Sequence, residues 1–202
     1  MKKQTRIAAV LSAAAFMTMV SGLPAYAASN GWVTEGDAKV YYDEDGYLTT
    51  DAWGKRGEDW YYLGENGQIV TDAKIDEYYV DSEGKMVTSA WVELKNEEDP
   101  DSPETPDTFW YYFEKDGKSA VSKWVKFDSK WYDFDESGHM ATGKTEIDGA
   151  TYYLGTEKDG AMKTGWIRLE ENSHVPGSSE SWYYFNSDGK MVTTQYDKKI
   201  DG

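Results

Sequence analysis

The chain contains no cysteine. Disulfides, thiolate metal sites and a cysteine nucleophile are therefore excluded. Histidine is almost as scarce: the 202 residues hold only His139 and His174, both in loop settings where exposure is expected, and neither with a candidate nucleophile beside it. Positive charge is in short supply too, with 21 Lys and Arg against 37 Asp and Glu and a formal net charge of −16. That balance argues against nucleic acid, because phosphate binding relies on basic side chains that displace counterions. The sequence also lacks a nucleophile elbow, a phosphate-cradling glycine loop and a His-Glu-x-x-His zinc motif. Asp43-x-Asp45-Gly46 opens like a calcium loop but has neither the length nor the closing Glu, so it reads as a turn. No catalytic residue, metal ligand or cofactor is expected.

Long apolar runs are missing except at the start. Lys2, Lys3 and Arg6 precede an Ala-rich stretch from Ile7 to Val20, and Ala25-Tyr26-Ala27 is a small-x-small cleavage pattern. The stretch is too short for the roughly 20 residues of a membrane-spanning helix. Residues 1–27 are therefore expected to be a cleaved secretory signal. Removing it takes away three basic and no acidic residues, which leaves residues 28–202 with a formal charge of −19. No later segment offers a membrane span or a lipid-anchored cysteine, so retention at a cell surface would have to come from binding.

What the chain does have is aromatic side chains: 9 Trp and 16 Tyr, with a mean hydropathy of only −0.75. They are not scattered. Tyr-Tyr or a close relative recurs at 41–42, 61–62, 78–79, 111–112, 132–133, 152–153 and 183–184. Each pair is followed by an acidic turn that ends in Gly46, Gly67, Gly84, Gly117, Gly138, Gly160 or Gly189. Two residues later come Leu48, Ile69, Met86, Ser119, Met140, Met162 and Met191, and two further on mostly Thr. Seven units share this pattern, spanning about 31–50, 51–73, 74–89, 90–122, 123–143, 144–165 and 166–195, with a short tail after them.

Aromatic runs such as Trp60-Tyr61-Tyr62-Leu63 favour strands, and Asn-Gly or Asp-Gly endings favour tight turns, so each unit reads as a β-hairpin. Strand alternation puts Trp60 and Tyr62 on one face and Tyr61 on the other. A lone hairpin is marginal in water, but stacked hairpins can share one core. The fold class is therefore all-β, a solenoid of stacked hairpins. A second aromatic precedes most hairpins (Trp32, Trp53, Trp91, Trp124, Trp166), with Ile75 and Ile147 standing there in units three and six. Acidic, Pro- or Ser-rich insertions at Asn96–Thr108 and Glu170–Ser181 lengthen units four and seven without losing phase. At the other end of the array, Tyr196–Gly202 begins a hairpin and leaves an edge that invites pairing with another chain.

The unit, best seen in Trp182–Thr193 and Gly160–Trp166, resembles the repeat of the choline-binding, or cell-wall-binding, repeat family, whose relatives include glucan-binding and toxin carbohydrate-binding repeats. The resemblance implies a left-handed β-solenoid with about three repeats per turn. It also implies choline held between consecutive repeats, in a cage of the leading Trp and hairpin Trp of one repeat, the second Tyr of the next and a nearby Met. Carried over, one cage is Trp124, Trp131, Tyr153 and Met140, and another is Trp53, Trp60, Tyr79 and Ile69. Trp91 and Trp110 would form a third, but Asp133 stands at its Tyr position; Trp166 and Trp182 lack a following hairpin. Unit one has Val40, and unit six Thr151, at the hairpin Trp position, so two good cages are expected.

Three functions remain open on this reading. One is a secreted, non-enzymatic surface module that binds a cell-wall polymer, either choline-substituted teichoic acid or polysaccharide. Another is carbohydrate binding by aromatic stacking. The last is a structural spacer or protein-interaction repeat without a small ligand.

Overall fold

The computed structural model describes residues 31–96, 106–170 and 180–192. The expected secretory signal at 1–27, most of both insertions, His174 and Tyr196–Gly202 lie outside the described residues. Within them the chain forms seven two-stranded antiparallel sheets, each from consecutive strands. The pairs are β1 Gly31–Glu35 with β2 Ala38–Tyr42, β3 Ala52–Arg56 with β4 Asp59–Leu63, β5 Ala73–Ile75 with β6 Tyr78–Val80, and β7 Ala90–Lys95 with β8 Thr108–Phe113. Then follow β9 Lys123–Phe127 with β10 Lys130–Phe134, β11 Lys144–Ile147 with β12 Ala150–Tyr153, and β13 Gly165–Glu170 with β14 Glu180–Phe185. The architecture is an all-β array of stacked hairpins.

Each unit has two turns, and they do different work. The ladder joins the leading-Trp strand to the aromatic strand around a short loop such as Gly57-Glu58. The acidic turn lies beyond the aromatic strand and closes a second, shorter arm through a single bridge, as in Leu63↔Ile69, Phe134↔Met140 and Phe185↔Met191. Its acidic residues shape the backbone: Asp81 Oδ1 accepts the N–H groups of Glu83 (2.8 Å) and Lys85 (2.9 Å). Asp43 does the same for Asp45 (3.0 Å) and Tyr47 (2.8 Å), which accounts for the Asp-x-Asp-Gly sequence as a turn.

Glycine at the end of the acidic turn is needed twice over. Gly84 has a φ of 78° and Gly117 of 85°, in the left-handed region. The apolar residue of the preceding unit also seats on it. A Cβ at Gly117 would come within 2.8 Å of Met86, and one at Gly84, Gly160 or Gly189 would collide with Ile69, Met140 or Met162.

The core runs through the array rather than inside any one hairpin. Leu63, Val80, Phe113, Phe134, Leu154 and Phe185 are each 1% exposed or less, one from every unit after the first. They end the aromatic strand (Leu154 just past it), and burying each contributes about 1.5–3 kcal/mol. The first Tyr of the pair (Tyr61, Tyr111, Tyr132, Tyr152) is buried as well, while Trp60 and Trp131 stay 40% exposed. From unit two onward one backbone bond ties each hairpin to the next: the N–H groups of Met86, Met140 and Met162, for example, donate to the carbonyls of Trp60, Trp110 and Trp131, each at 2.8 Å.

Register corrects the count at three units. Val33↔Val40 and Thr34↔Lys39 pair as Gly54↔Tyr61 and Lys55↔Trp60 do, so Lys39 and not Val40 holds the hairpin-Trp position of unit one. Lys74↔Tyr79 and Lys144↔Tyr153 pair as Trp53↔Tyr62 does, so the leading positions of units three and six are lysines rather than Ile75 and Ile147. The loops vary in length, and counting from them displaces the alignment by one residue in units one and three and by three in unit six. A further correction concerns His139, which is 8% exposed and not on the surface. It stacks on Phe109 (centroids 3.7 Å apart, rings 8° from parallel) and meets Tyr111 edge-on at 5.3 Å, so aromatic packing covers this turn.

Candidate functional site

The hairpins stack with one face of each unit against the opposite face of the next. The leading Trp, the hairpin Trp and the second Tyr share a face because they occupy alternate pairs of the ladder, Trp53↔Tyr62 and Lys55↔Trp60. The first Tyr of the next hairpin points back at them. Trp53 meets Tyr78 edge-on at 5.2 Å, Trp91 meets Tyr132 at 4.8 Å, and Trp124 meets Tyr152 at 5.0 Å.

Between units two and three this leaves a cleft of about 370 Å³ lined by Trp53, Trp60, Tyr78, Met86 and Asp116. Between units four and five a cleft of about 250 Å³ is lined by Trp91, Trp110, Tyr132, Met140, Lys158 and Asp159. The same four positions are filled between units five and six, where Trp124 packs on Tyr152 and Met162 donates its N–H to the Trp131 carbonyl at 2.8 Å.

The grouping differs from the one inferred from spacing alone. Tyr79 and Tyr153 do not join Trp53/Trp60 and Trp124/Trp131. Tyr79 stacks on Phe113 at 5.9 Å and donates its hydroxyl to Asp72 at 3.0 Å, and Tyr153 lies 6.3 Å from Phe185. Ile69 packs over Gly84 and lines a separate surface cleft with Lys39 and Gln68. Met140 lies with Trp91 and Trp110, not with Trp124 and Trp131. Among the described residues the ring contact of Trp166 is with Tyr184 of its own hairpin, at 5.2 Å, and Trp166 and Trp182 are 67% and 64% exposed. Strand alternation already carried the signal: the buried-face Tyr is the first of each pair, and it is that face which the preceding hairpin meets.

Acidic groups sit close to these clusters. Asp116 comes from the turn of unit four onto the cleft between units two and three. Lys158 and Asp159 reach the cleft between units four and five from a longer turn in unit six. Asp133, opposite Trp124, is 8% exposed, and burial, reinforced by Asp135 and Asp148, pushes its carboxyl up to about 6. Burial likewise raises Tyr62 and Tyr132 above the ordinary phenol value, keeping them protonated at neutral pH.

Seven hairpins stacked through a shared core, with aromatic clusters at their junctions, define a β-hairpin repeat solenoid. Its repeats resemble those of the choline-binding, or cell-wall-binding, repeat family: residues 121–166 match the model of the choline-binding repeat, and residues 178–191 that of a putative cell wall binding repeat. A flagellin protein model matches residues 3–91; its described part contains β1–β6, which form the same hairpins as the rest of the array.

Solved structures agree on the fold. The modular autolysin LytC from Streptococcus pneumoniae, in complex with a synthetic peptidoglycan ligand, is similar at 25% identity and a TM-score of 0.60, over 81% of this chain and 33% of that one. Choline binding protein F from the same organism gives 26% and 0.56 over 83% and 54%. CbpJ, again from Streptococcus pneumoniae, gives 26% and 0.57 over 83% and 55%. Glucosyltransferase-S of Streptococcus mutans is 28% identical over 131 residues, 57% of this chain. The chain spans 8% of that enzyme's length, and about half or less of the structures' chains.

Proposed function

We propose that this chain is an exported, non-catalytic module that attaches to a bacterial cell wall by holding choline groups of a wall polymer in inter-repeat cages. The observation that carries the reading is the recurrence, at three junctions, of two Trp, one Tyr and one Met: Trp53, Trp60, Tyr78 and Met86 about one cleft; Trp91, Trp110, Tyr132 and Met140 about a second; and Trp124, Trp131, Tyr152 and Met162 at the same positions of a third junction. A quaternary ammonium has no proton to donate, so it is held by aromatic faces, each contributing about 0.5–2 kcal/mol by cation–π attraction. Asp116 adds negative charge beside the first cage; at the second, Asp159 is paired with Lys163 and accompanied by Lys158. The net charge of −16 favours a cationic head group in the same sense. Export would rest on residues 1–27. Several weak cages engaged along one polymer would raise attachment well above that of a single site.

The match to glucosyltransferase-S supports a second reading, in which the half-exposed Trp60 and Trp131 stack on the sugar rings of a glucan. Titration of the full chain with choline, followed by Trp fluorescence and thermal melting, separates the two. Saturation that stabilises the array, and that weakens in Trp110→Ala, supports the first. A flat response to about 100 mM choline, together with binding to a glucan column that choline does not elute, selects the second; at a few kcal/mol per cage, choline affinities in the millimolar range are expected.

A further inference from the structure

Two junctions are built differently from the three cages, and both in the same way. At the leading position, where units two, four and five carry Trp53, Trp91 and Trp124, units three and six carry Lys74 and Lys144 in the same ladder register. The ammonium of Lys74 lies 4.7 Å from the ring centre of Tyr111, and that of Lys144 lies 5.1 Å from Tyr183. Tyr111 and Tyr183 are the first Tyr of the next hairpin, the residues that answer to Tyr78, Tyr132 and Tyr152 in the cages.

The remaining positions have changed with it. Glu77 and Thr151 replace the hairpin Trp, as the interunit ladder identifies: their carbonyls accept from Ser119 and Met191, both at 2.7 Å, in the place of the Trp carbonyls elsewhere. Glu77 is bound by Lys118 at 2.6 Å. In these same two units the second Tyr packs forward on the axial Phe of the next hairpin, Tyr79 on Phe113 and Tyr153 on Phe185, whereas Tyr62 and Tyr112 pair with the Trp of their own hairpin at 5.3 and 5.2 Å.

We infer that the junctions between units three and four and between units six and seven are closed by the chain's own ammonium groups. Lys74 and Lys144 supply internally the cation–π contact that a bound cation supplies at the cages. At the cages the chain's own ammonium groups stand farther off, Lys55 5.9 Å from Trp60, Lys118 5.9 Å from Tyr78 and Lys126 5.7 Å from Trp131. Of the six junctions, three therefore keep a full cage for a ligand and two are self-occupied; the first sets Trp32 against Tyr61 but has Lys39 at the hairpin-Trp position and is no full cage. The identity of the ligand rests on the choline reading above; the self-occupancy does not.

Two measurements on the full chain test this. In an NMR spectrum without choline, the Hε protons of Lys74 and Lys144 are expected upfield of free lysine, shifted by the Tyr111 and Tyr183 ring currents. Random-coil positions for both overturn the inference whatever the chain binds. In calorimetric titration with choline chloride the expected stoichiometry is three per chain. The combined variant Lys74→Trp, Glu77→Trp and Ser119→Met, which keeps Tyr111, is expected to bind four. A wild-type stoichiometry of five, or a folded triple variant that still binds three, overturns the inference. Absence of any choline binding refutes the choline reading instead, and the lysine spectrum then decides self-occupancy alone.

Discussion

Replacing Asp133 by Asn isolates the cost of burying one carboxylate in an otherwise aromatic position. Asp133 pairs with Trp124 where the other Trp-led hairpins place a Tyr, as in Trp53↔Tyr62 and Trp91↔Tyr112. Burial is the main reason that its carboxyl rises from 3.8 to about 6, with Asp135 and Asp148 adding to it. The folded chain thus holds this proton up to about pH 6, while the unfolded chain releases it near pH 3.8. Between those values the folded state binds more protons, so this group's contribution to stability falls as pH rises through the window. At 1.36 kcal/mol per pKa unit the cost above pH 6 is about 3 kcal/mol, and it vanishes below pH 3.8. Asp133→Asn removes the charge at nearly constant shape. Urea unfolding of both proteins between pH 3.5 and 7.5, followed by Trp fluorescence, is expected to show the variant gaining on the wild type as pH rises. The full gain corresponds to about 1–3 M in the urea midpoint at ordinary m-values. Subtracting the two proteins cancels the other 36 acidic residues. A difference that does not change with pH, or one that grows toward acid, refutes the reasoning.

Two further substitutions probe the backbone. Gly84→Ala places a methyl group into Ile69 at a φ of 78°, and is expected to cost at least about 2 kcal/mol, seen as a lower thermal midpoint; an unchanged midpoint would show that the seat yields. Ser122 has a φ of 47° at the position where unit six has Gly143, and both donate their N–H across the acidic turn, Ser122 to Asp135 and Gly143 to Gly155. Ser122→Gly is expected to stabilise the array by up to about 1 kcal/mol in the same assay, the relief of left-handed strain exceeding the entropy that glycine adds to the unfolded chain.

The repeat, its turns and its all-β character were legible because they are local. Asn66-Gly67 and Asp188-Gly189 specify turns wherever they occur, and Trp60-Tyr61-Tyr62 alternates faces in any strand. The cage aromatics were half legible. Trp53, Trp60, Trp91, Trp110, Trp124 and Trp131 all fall at junctions, whereas the Tyr and Met that complete each cluster come from the next hairpin. Which Tyr of a pair faces backward depends on which face the preceding unit covers. Loop lengths hide this: from the sequence Ile75 and Ile147 matched the expected apolar leading position, whereas the ladder gives it to Lys74 and Lys144. Burial of His139 was equally invisible, since its partner Phe109 lies 30 residues away in sequence.

The sequence by itself determined an exported-looking, acidic chain of seven aromatic hairpin units, because period, turn chemistry and strand alternation are properties of short segments. Only the tertiary structure decided the pairing of one unit with the next: that Tyr78 rather than Tyr79 faces Trp53, that Met140 belongs to the Trp91 cluster, and that two lysines rest on tyrosine rings where indoles stand elsewhere. The physical reason is that a hairpin too small to bury its own faces takes its core from its neighbours, and the register of that contact is fixed by packing across the junction.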